Sequence, residues 1–139
     1  MIVDNDLIFD EKRKRYYLTE DYIYNELGVD LASILVDDLD PNVSTLTKRK
    51  IKYACDMLYG FIDDNAFNKT ATYYAFTVDE DMHNALKEAL GYQLYFFALN
   101  GDVSNDIDFD VKSAVSKRAI QVLNGVGAFN VVANIQKEW

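Results

Sequence analysis

The sequence predicts a mainly α-helical protein, a small helical bundle with an N-terminal β-hairpin and an extended C-terminal tail. Apolar residues recur at helical spacing in three segments of the chain, which is the pattern of helices with one buried face. Two β-prone runs near the start, residues 7–9 and 16–18, flank a polar stretch and favour a hairpin. The last residues are apolar but follow the helix-ending glycines Gly125 and Gly127. We therefore expect several helices to share one core.

The chain divides into one domain and one tail. A length of 139 residues suits a single domain with a modest core. A composition that is 50% hydrophobic argues against disorder. We place the domain at residues 1–127, with residues 1–18 as a hairpin extension, and the tail at residues 128–139.

The central helix is the best marked element and runs from Thr77 to Gly101. Thr77 is the predicted N-cap, with Glu80 three residues later as in a capping box. Asn100 and Gly101 mark the end of the helix. From Gly91 onward the helix is apolar on two faces, so we expect the rest of the chain or neighbouring copies to cover it. It is too short and too flanked by charge to span a membrane.

Two further helices complete the predicted bundle. A long helix begins at Ser44 or Thr45, and a last helix runs from Val111 or Lys112 to Asn124. The predicted core consists of apolar positions on the facing sides of the three helices: Ile51, Leu58, Ile62, Leu86, Leu90, Leu94, Phe97, Val115, Ala119 and Leu123.

Shorter signals place the segments between these helices. Thr19 caps a short helix that ends at Gly28. Aromatic residues within 65–76 indicate a short extended run that leads into the central helix. In residues 106–111, Asp-Ile-Asp-Phe-Asp-Val, acids alternate with apolar residues, which is typical of a strand or of a loop held by its apolar side chains.

A basic shoulder on the long helix is the main candidate contact surface. It comprises Lys48, Arg49, Lys50 and Lys52. One interpretation is that the shoulder contacts phosphate or an acidic neighbouring subunit, because a strongly acidic chain that assembles with itself needs complementary basic surface. The other interpretation is that it is a solvated helix face. A second basic run, residues 12–15, lies beside Asp10 and Glu11 and is better explained as a solvated turn.

No residue pattern in the sequence is typical of a catalytic or metal site. The formal net charge of −9 argues against bulk DNA binding. His83 is the sole histidine and has no cysteine or second histidine at metal spacing, while Cys55 lies on an apolar stripe. The acidic runs 37–40 and 106–110 lack the glycine and the distal glutamate of a calcium loop. We expect no catalytic residue, no metal and no cofactor, and hence no enzyme.

Two stretches of the chain carry a more specific pattern. Residues 85–102 have the form A-x-K-E-A-x-x-x-Q, followed by aromatic and aliphatic residues and then N-G-D. Residues 113–129 are similar to S-x-x-x-x-A-x-x-x-L-x-x-x-G. Both resemble the head–tail connector family of tailed bacteriophages, also called head-completion or adaptor proteins. The hairpin and the aspartate-rich loop at residues 37–40 look like additions to that family's compact form.

The resemblance implies a structural virion protein. Such a protein assembles in the host cytoplasm as a ring, usually twelve-fold, and in the virion lies in the neck below the portal protein. The ring extends the DNA channel, lets packaged DNA pass without sequence-specific binding, and offers a docking site for a tail or stopper protein. The acidic composition is compatible with this role, because an acidic wall would not hold DNA that slides past it.

The resemblance also implies a role for the tail, since the C-terminal end commonly reaches the portal in that family. With Gly125 and Gly127 as a hinge, we expect residues 128–139 to swing away from their own domain and to be poorly ordered in the isolated protein. The expected portal-docking residues are Phe129, Val131, Val132, Ile135 and Trp139. The alternative is a tail that folds back on its own bundle.

Two other classes of function fit the composition. One is a small acidic regulator, such as a DNA mimic that binds a host DNA-binding protein, which would be monomeric or dimeric with a continuous acidic surface. The other is a general helical interaction module.

Overall fold

The computed structural model describes residues 1–28, 43–100 and 115–129. Their fold is mainly helical with an N-terminal hairpin, which confirms the predicted fold class. In chain order the elements are β1 (Leu7–Asp10), β2 (Arg15–Leu18), α1 (Glu20–Asn25), α2 (Val43–Asn65), α3 (Lys69–Val78), α4 (Glu80–Asn100) and α5 (Lys117–Gly125). The predictions for residues 37–40 and 106–111 lie outside the described residues.

The hairpin forms as predicted, with β1 and β2 antiparallel and Phe9 opposite Tyr16. The Asp10 carboxylate closes the turn, because it accepts the N–H groups of Lys12 at 3.0 Å and Arg13 at 3.1 Å. Such a local carboxylate–backbone contact is what favours aspartate in turns. Lys14 takes the left-handed conformation, with φ 59°, and returns the chain to β2.

Helix α3 occupies a segment for which we predicted an extended run, and that prediction was wrong. The Asn68 side chain accepts the N–H of Ala71 at 3.1 Å and so caps the start of the helix. The strand propensity of Tyr73, Tyr74 and Phe76 is overridden, because the helix packs against α4 and buries Phe76.

The cap of the central helix is Asp79 and not Thr77. Thr77 lies in the last turn of α3, where its hydroxyl donates to Tyr74 O at 2.7 Å. The Asp79 carboxylate accepts the N–H groups of Asp81 at 2.9 Å and Met82 at 3.1 Å. Aspartate is the stronger N-cap residue of the two, so α4 begins at Glu80.

Helix α5 is shorter than predicted, because Ser116 acts as its N-cap. The serine has an extended backbone, and its hydroxyl accepts the N–H of Ala119 at 3.2 Å. Val115 precedes the helix, so the predicted start at residue 111 or 112 was wrong for the described part.

The end of α5 is a Schellman motif. Gly127 has φ +78°, and its N–H donates to Asn124 O at 3.1 Å. The Ala128 N–H donates to Leu123 O, also at 3.1 Å. Gly127 is therefore held by hydrogen bonds and does not act as the free hinge that we expected.

Helix α4 lies at the centre of the core. It packs against α2, α3, α5 and β2, most extensively against α5. The ten residues predicted for the core are all buried, and none is more than 3% exposed: Ile51, Leu58, Ile62, Leu86, Leu90, Leu94, Phe97, Val115, Ala119 and Leu123. The second apolar face of α4 is less well covered, because Tyr95 is 50% and Leu99 69% exposed.

Replacing Leu90 by alanine should destabilise the domain by roughly 2–5 kcal/mol, the range for emptying a packed leucine site. The matched control is Leu99→Ala on the exposed side of the same helix, which should cost less than about 0.5 kcal/mol. Denaturant unfolding of both variants measures the difference. Equal losses would show that Leu90 does not hold the core together.

Candidate interaction surface

The basic shoulder of α2 is solvent-facing in three of its four residues. Lys48, Arg49 and Lys52 are exposed, whereas Lys50 is partly buried and its burial lowers its pKa. Because each helix residue advances about 100°, Lys48, Arg49 and Lys52 fall within an arc of about 100°. Lys50 points about 160° away from Lys48, since two residues rotate the helix by about 200°. The structure therefore brings three of the predicted charges together and separates the fourth.

An apolar hollow lies beside this shoulder. It has a volume of about 410 Å³ between α2 and the hairpin, and its apolar lining includes Ile8, Tyr17 and Ile51. Its charged lining residues are Lys48, Lys52, Asp10 and Glu20. Ile8 is 60% exposed. An apolar floor with a charged rim is the usual anatomy of a protein–protein contact, so this surface suits a partner with apolar groups and charges of both signs.

The arginines of the hairpin pair with carboxylates of α2, Arg15 with two of them and the more exposed Arg13 with one. The Arg15 guanidinium contacts Asp56 at 3.1 Å and Asp63 at 2.9 Å and lies 5.0 Å from the centre of the Tyr59 ring. Burial alone would lower the pKa of Arg15, but the neighbouring tyrosines and the two carboxylates raise it. Arg13 also reaches Asp56, at 3.3 Å. The solvated-turn interpretation thus holds for the exposed Lys12 and Lys14 and fails for Arg15.

A buried tyrosine fixes the hairpin to α2. The Tyr59 hydroxyl accepts the N–H of Tyr16 at 3.0 Å and donates to the carbonyl oxygen of the same residue at 2.5 Å. Burial raises the pKa of Tyr59 well above its usual value of 10, so this hydroxyl keeps its proton. Tyr73 donates to Asp63 at 2.6 Å beside it. Sequence periodicity missed these contacts, because it treats tyrosines only as apolar positions.

A second polar cluster ties the N-terminal segment to α4. His83, the sole histidine, is only 2% exposed. Its Nε2 lies 3.0 Å from Asp4 Oδ2 and its Nδ1 lies 3.1 Å from Phe76 O. The Lys87 ammonium group donates to Asp4 at 3.1 Å and to Asp6 at 2.7 Å. The only signal in the sequence was that His83 and Lys87, four residues apart, share one helix face.

Hydrogen bonding within this cluster lowers the pKa of Asp4 below its usual value of 3.8. Burial opposes this shift, but the hydrogen bonds from His83, from the Asp6 N–H and from Lys87 outweigh it. The cluster is thus an internally satisfied ionic contact that holds residues 1–6 in place, which is a structural arrangement.

Cys55, which the sequence places on an apolar stripe, lies in the core. Cys55 is fully buried, and burial raises the pKa of its thiol to about 12, so the reactive thiolate does not form near neutral pH. Among residues 1–28, 43–100 and 115–129, no group of three histidine, cysteine or acidic side chains could hold a metal ion.

The first residues of the expected tail belong to the domain. Ala128 and Phe129 are each 3% exposed, and the Phe129 ring packs edge-on against Phe61 with 5.4 Å between ring centres. The expected boundary at residue 127 was therefore placed too early, and Phe129 is not a free anchor. The other predicted docking residues lie outside the described part: Val131, Val132, Ile135 and Trp139.

Comparisons with known proteins leave the family of this chain open. No family model, no curated protein and no solved structure matches it. Within the described residues no helix has the length and apolar character needed to cross a bilayer. Any functional proposal for this chain therefore rests on its own residues.

Replacing Asp4 by asparagine should destabilise the protein at pH 6 and have a smaller effect at pH 3. The folded-state pKa of Asp4 lies below its usual value of 3.8, so its charge stabilises the fold above that pH. This contribution is lost as the pH falls through the lowered pKa. Denaturant midpoints at the two pH values measure it, with the exposed Asp21→Asn as control. A difference between wild type and D4N that does not shrink at pH 3 would contradict the role of the Asp4 charge.

Proposed function

We propose that this protein is a structural virion component, a head–tail connector or adaptor that assembles as a ring below the portal. The observation that best supports this is the meeting of the two stretches that resemble the connector family. Gln93 in the first stretch accepts the backbone N–H of Ser116 in the second at 2.8 Å, inside the core. The two stretches therefore behave as one packing unit, as expected if both belong to a shared family pattern.

Exposed apolar side chains on two separate helices support assembly of several copies. Tyr95 and Leu99 lie one turn apart on α4 and are 50% and 69% exposed. Tyr74 and Val78 lie one turn apart on α3 and are 67% and 48% exposed. Two different patches on one molecule suit head-to-tail contacts, which close into rings when the rotation between copies permits.

The charge distribution supports the same proposal. The chain carries a net charge of −9, yet Lys48, Arg49 and Lys52 form a compact basic surface. In a ring, this surface can face acids of the adjacent copy, which fixes the register between copies. The excess of acid elsewhere would let packaged DNA pass through the channel without sticking.

A structural role also fits the polar clusters better than a catalytic one. The carboxylates of Asp4, Asp56 and Asp63 are engaged in ion pairs that hold the N-terminal segment and the hairpin. We propose that the protein has no catalytic activity, and that its partners are its own copies, a portal protein and a tail or stopper protein.

Reversing two charges of the basic shoulder should impair ring formation. In the variant Lys48→Glu/Arg49→Glu, we expect native mass measurement to show smaller species than the wild type, alone and with the portal protein of the same virus. The reason is that like charges would then face each other across the contact. The control Lys12→Glu/Lys117→Glu makes the same net change at exposed positions outside the shoulder. A wild type that stays monomeric or dimeric with the portal would overturn the proposal and favour the acidic regulator.

Two truncations separate the portal anchor from the domain. Ending the chain after Phe129 should keep the thermal midpoint and abolish portal binding, because both buried residues of the segment remain. Ending it after Gly127 should also lower stability by about 3 kcal/mol, since it removes the buried Phe129 ring. Unfolding and co-sedimentation with portals measure the two effects. Normal portal binding by the longer truncated chain would refute the anchor.

A further inference from the structure

A groove with a basic rim lies between the tip of the hairpin and α3. It has a volume of about 660 Å³. Its floor includes Phe9, Tyr74 and Val78, and two of these are well exposed, Tyr74 at 67% and Val78 at 48%. Its rim carries Lys14 on the turn and Lys69 at the start of α3. The groove therefore combines apolar side chains on its floor with positive charge at its rim.

The local charge of the groove is opposite to that of the chain. Its lining contains four cationic and two acidic side chains: Arg13, Lys14, Arg15, Lys69, Glu11 and Asp63. Arg15 pairs with Asp63 at 2.9 Å, and Arg13 pairs with Asp56 at 3.3 Å. No ion pair in the described part of the chain involves Lys69, and Lys14 reaches Glu11 only at 3.7 Å with both side chains exposed. The groove thus keeps a small positive surplus, from Lys69 and the loosely paired Lys14, on a protein of net charge −9, and this surplus favours an acidic occupant.

We propose that this groove binds an extended acidic peptide segment in which carboxylates alternate with apolar side chains, supplied by a second copy of this chain. Alternate side chains of an extended backbone point to opposite sides, so one side of such a segment meets the apolar floor and the other faces the basic rim. Residues 106–111 carry this alternation, with Asp106, Asp108 and Asp110 on one side. Six extended residues cover about 20 Å, similar to the length of about 15 Å for the ten residues of α3.

The described ends that flank residues 101–114 favour a second copy over the same chain. The groove lies beside Val78, just before the start of α4 at Glu80. Ser116 is hydrogen-bonded to Gln93, which is thirteen residues, or about 20 Å, along α4 from Glu80. Asn100, the last residue of α4, is about 30 Å from Glu80 along the helix. Both ends therefore lie away from the groove along α4.

This inference deepens the proposed function, because it assigns one contact between copies of the proposed ring. It is nevertheless measurable without a portal or a ring. The probe is a fluorescent synthetic peptide of residues 104–112, titrated with the full-length protein and followed by anisotropy. We expect saturable binding that weakens with added salt and that is lost when the three aspartates of the peptide become asparagine.

Two matched pairs of variants locate the binding. Lys69 and Lys117 are exposed residues that each open a helix directly after its N-cap, Asn68 and Ser116. Lys69→Glu should weaken peptide binding about fivefold, whereas Lys117→Glu should change it by less than about twofold. Tyr74 and Tyr24 are 67% and 65% exposed. Tyr74→Ser should weaken binding and Tyr24→Ser should not.

The outcomes separate the inference from the proposed function. Absence of saturable binding, or equal effects of the two lysine variants, overturns the groove as a binding site. A full-length variant in which Asp106, Asp108 and Asp110 are asparagine tests the source of the segment. If the triple-asparagine variant binds the peptide, the wild type does not, and the wild type is monomeric, then the groove of each molecule is filled by residues 106–111 of the same chain. The second-copy proposal is then wrong. If rings form with portals although the peptide does not bind, the connector function is supported and only the groove inference is wrong.

Discussion

The apolar stripe of α4, which includes Leu86, Leu90 and Leu94, is covered by α2, α3, α5 and β2. Helix α2 also packs against β2 and, through Phe61 and Phe129, against the end of α5, but α4 is the element that all four contact. The short strands and α5 would be marginal alone, since an isolated hairpin or a nine-residue helix has little stability in water. The rest of the structure depends on this burial, and the polar contacts decide how the peripheral pieces are oriented on it.

Two polar clusters supply that orientation, and Tyr16 touches both, since its backbone bonds to Tyr59 and its ring packs edge-on against His83. The Tyr59 hydroxyl satisfies both backbone groups of Tyr16, so the outer edge of β2 is paired with a side chain and not with another strand. Asp4, His83 and Lys87 fix the segment before β1 on α4. The carboxylates of Asp4, Asp56 and Asp63 pair with basic side chains near the surface. These ion pairs help to explain why an acidic protein can hold basic residues close to its surface whose charges are already paired.

Sequence periodicity was enough to predict the core, because burial of one helix face follows directly from residue spacing. It failed at α3, where a single cap at Asn68 and packing on α4 outweigh the strand propensity of the aromatic residues. The contact between Asp4 and His83 spans 79 positions, and no local pattern encodes such a pairing. The shoulder was identified as a set, although the rotation of about 100° per helical residue already separates Lys50 from its neighbours and could have been applied to the sequence.

Asp79 has a consequence for how the length of the chain can vary. Its backbone N–H closes α3 on Ala75 O, and its side chain opens α4. One residue is therefore the whole connection between two helices and serves as the end cap of one and the start cap of the other. An inserted residue at this junction would separate the two tasks and leave one helix end without its partner. Insertions and deletions in related chains should accordingly avoid this corner.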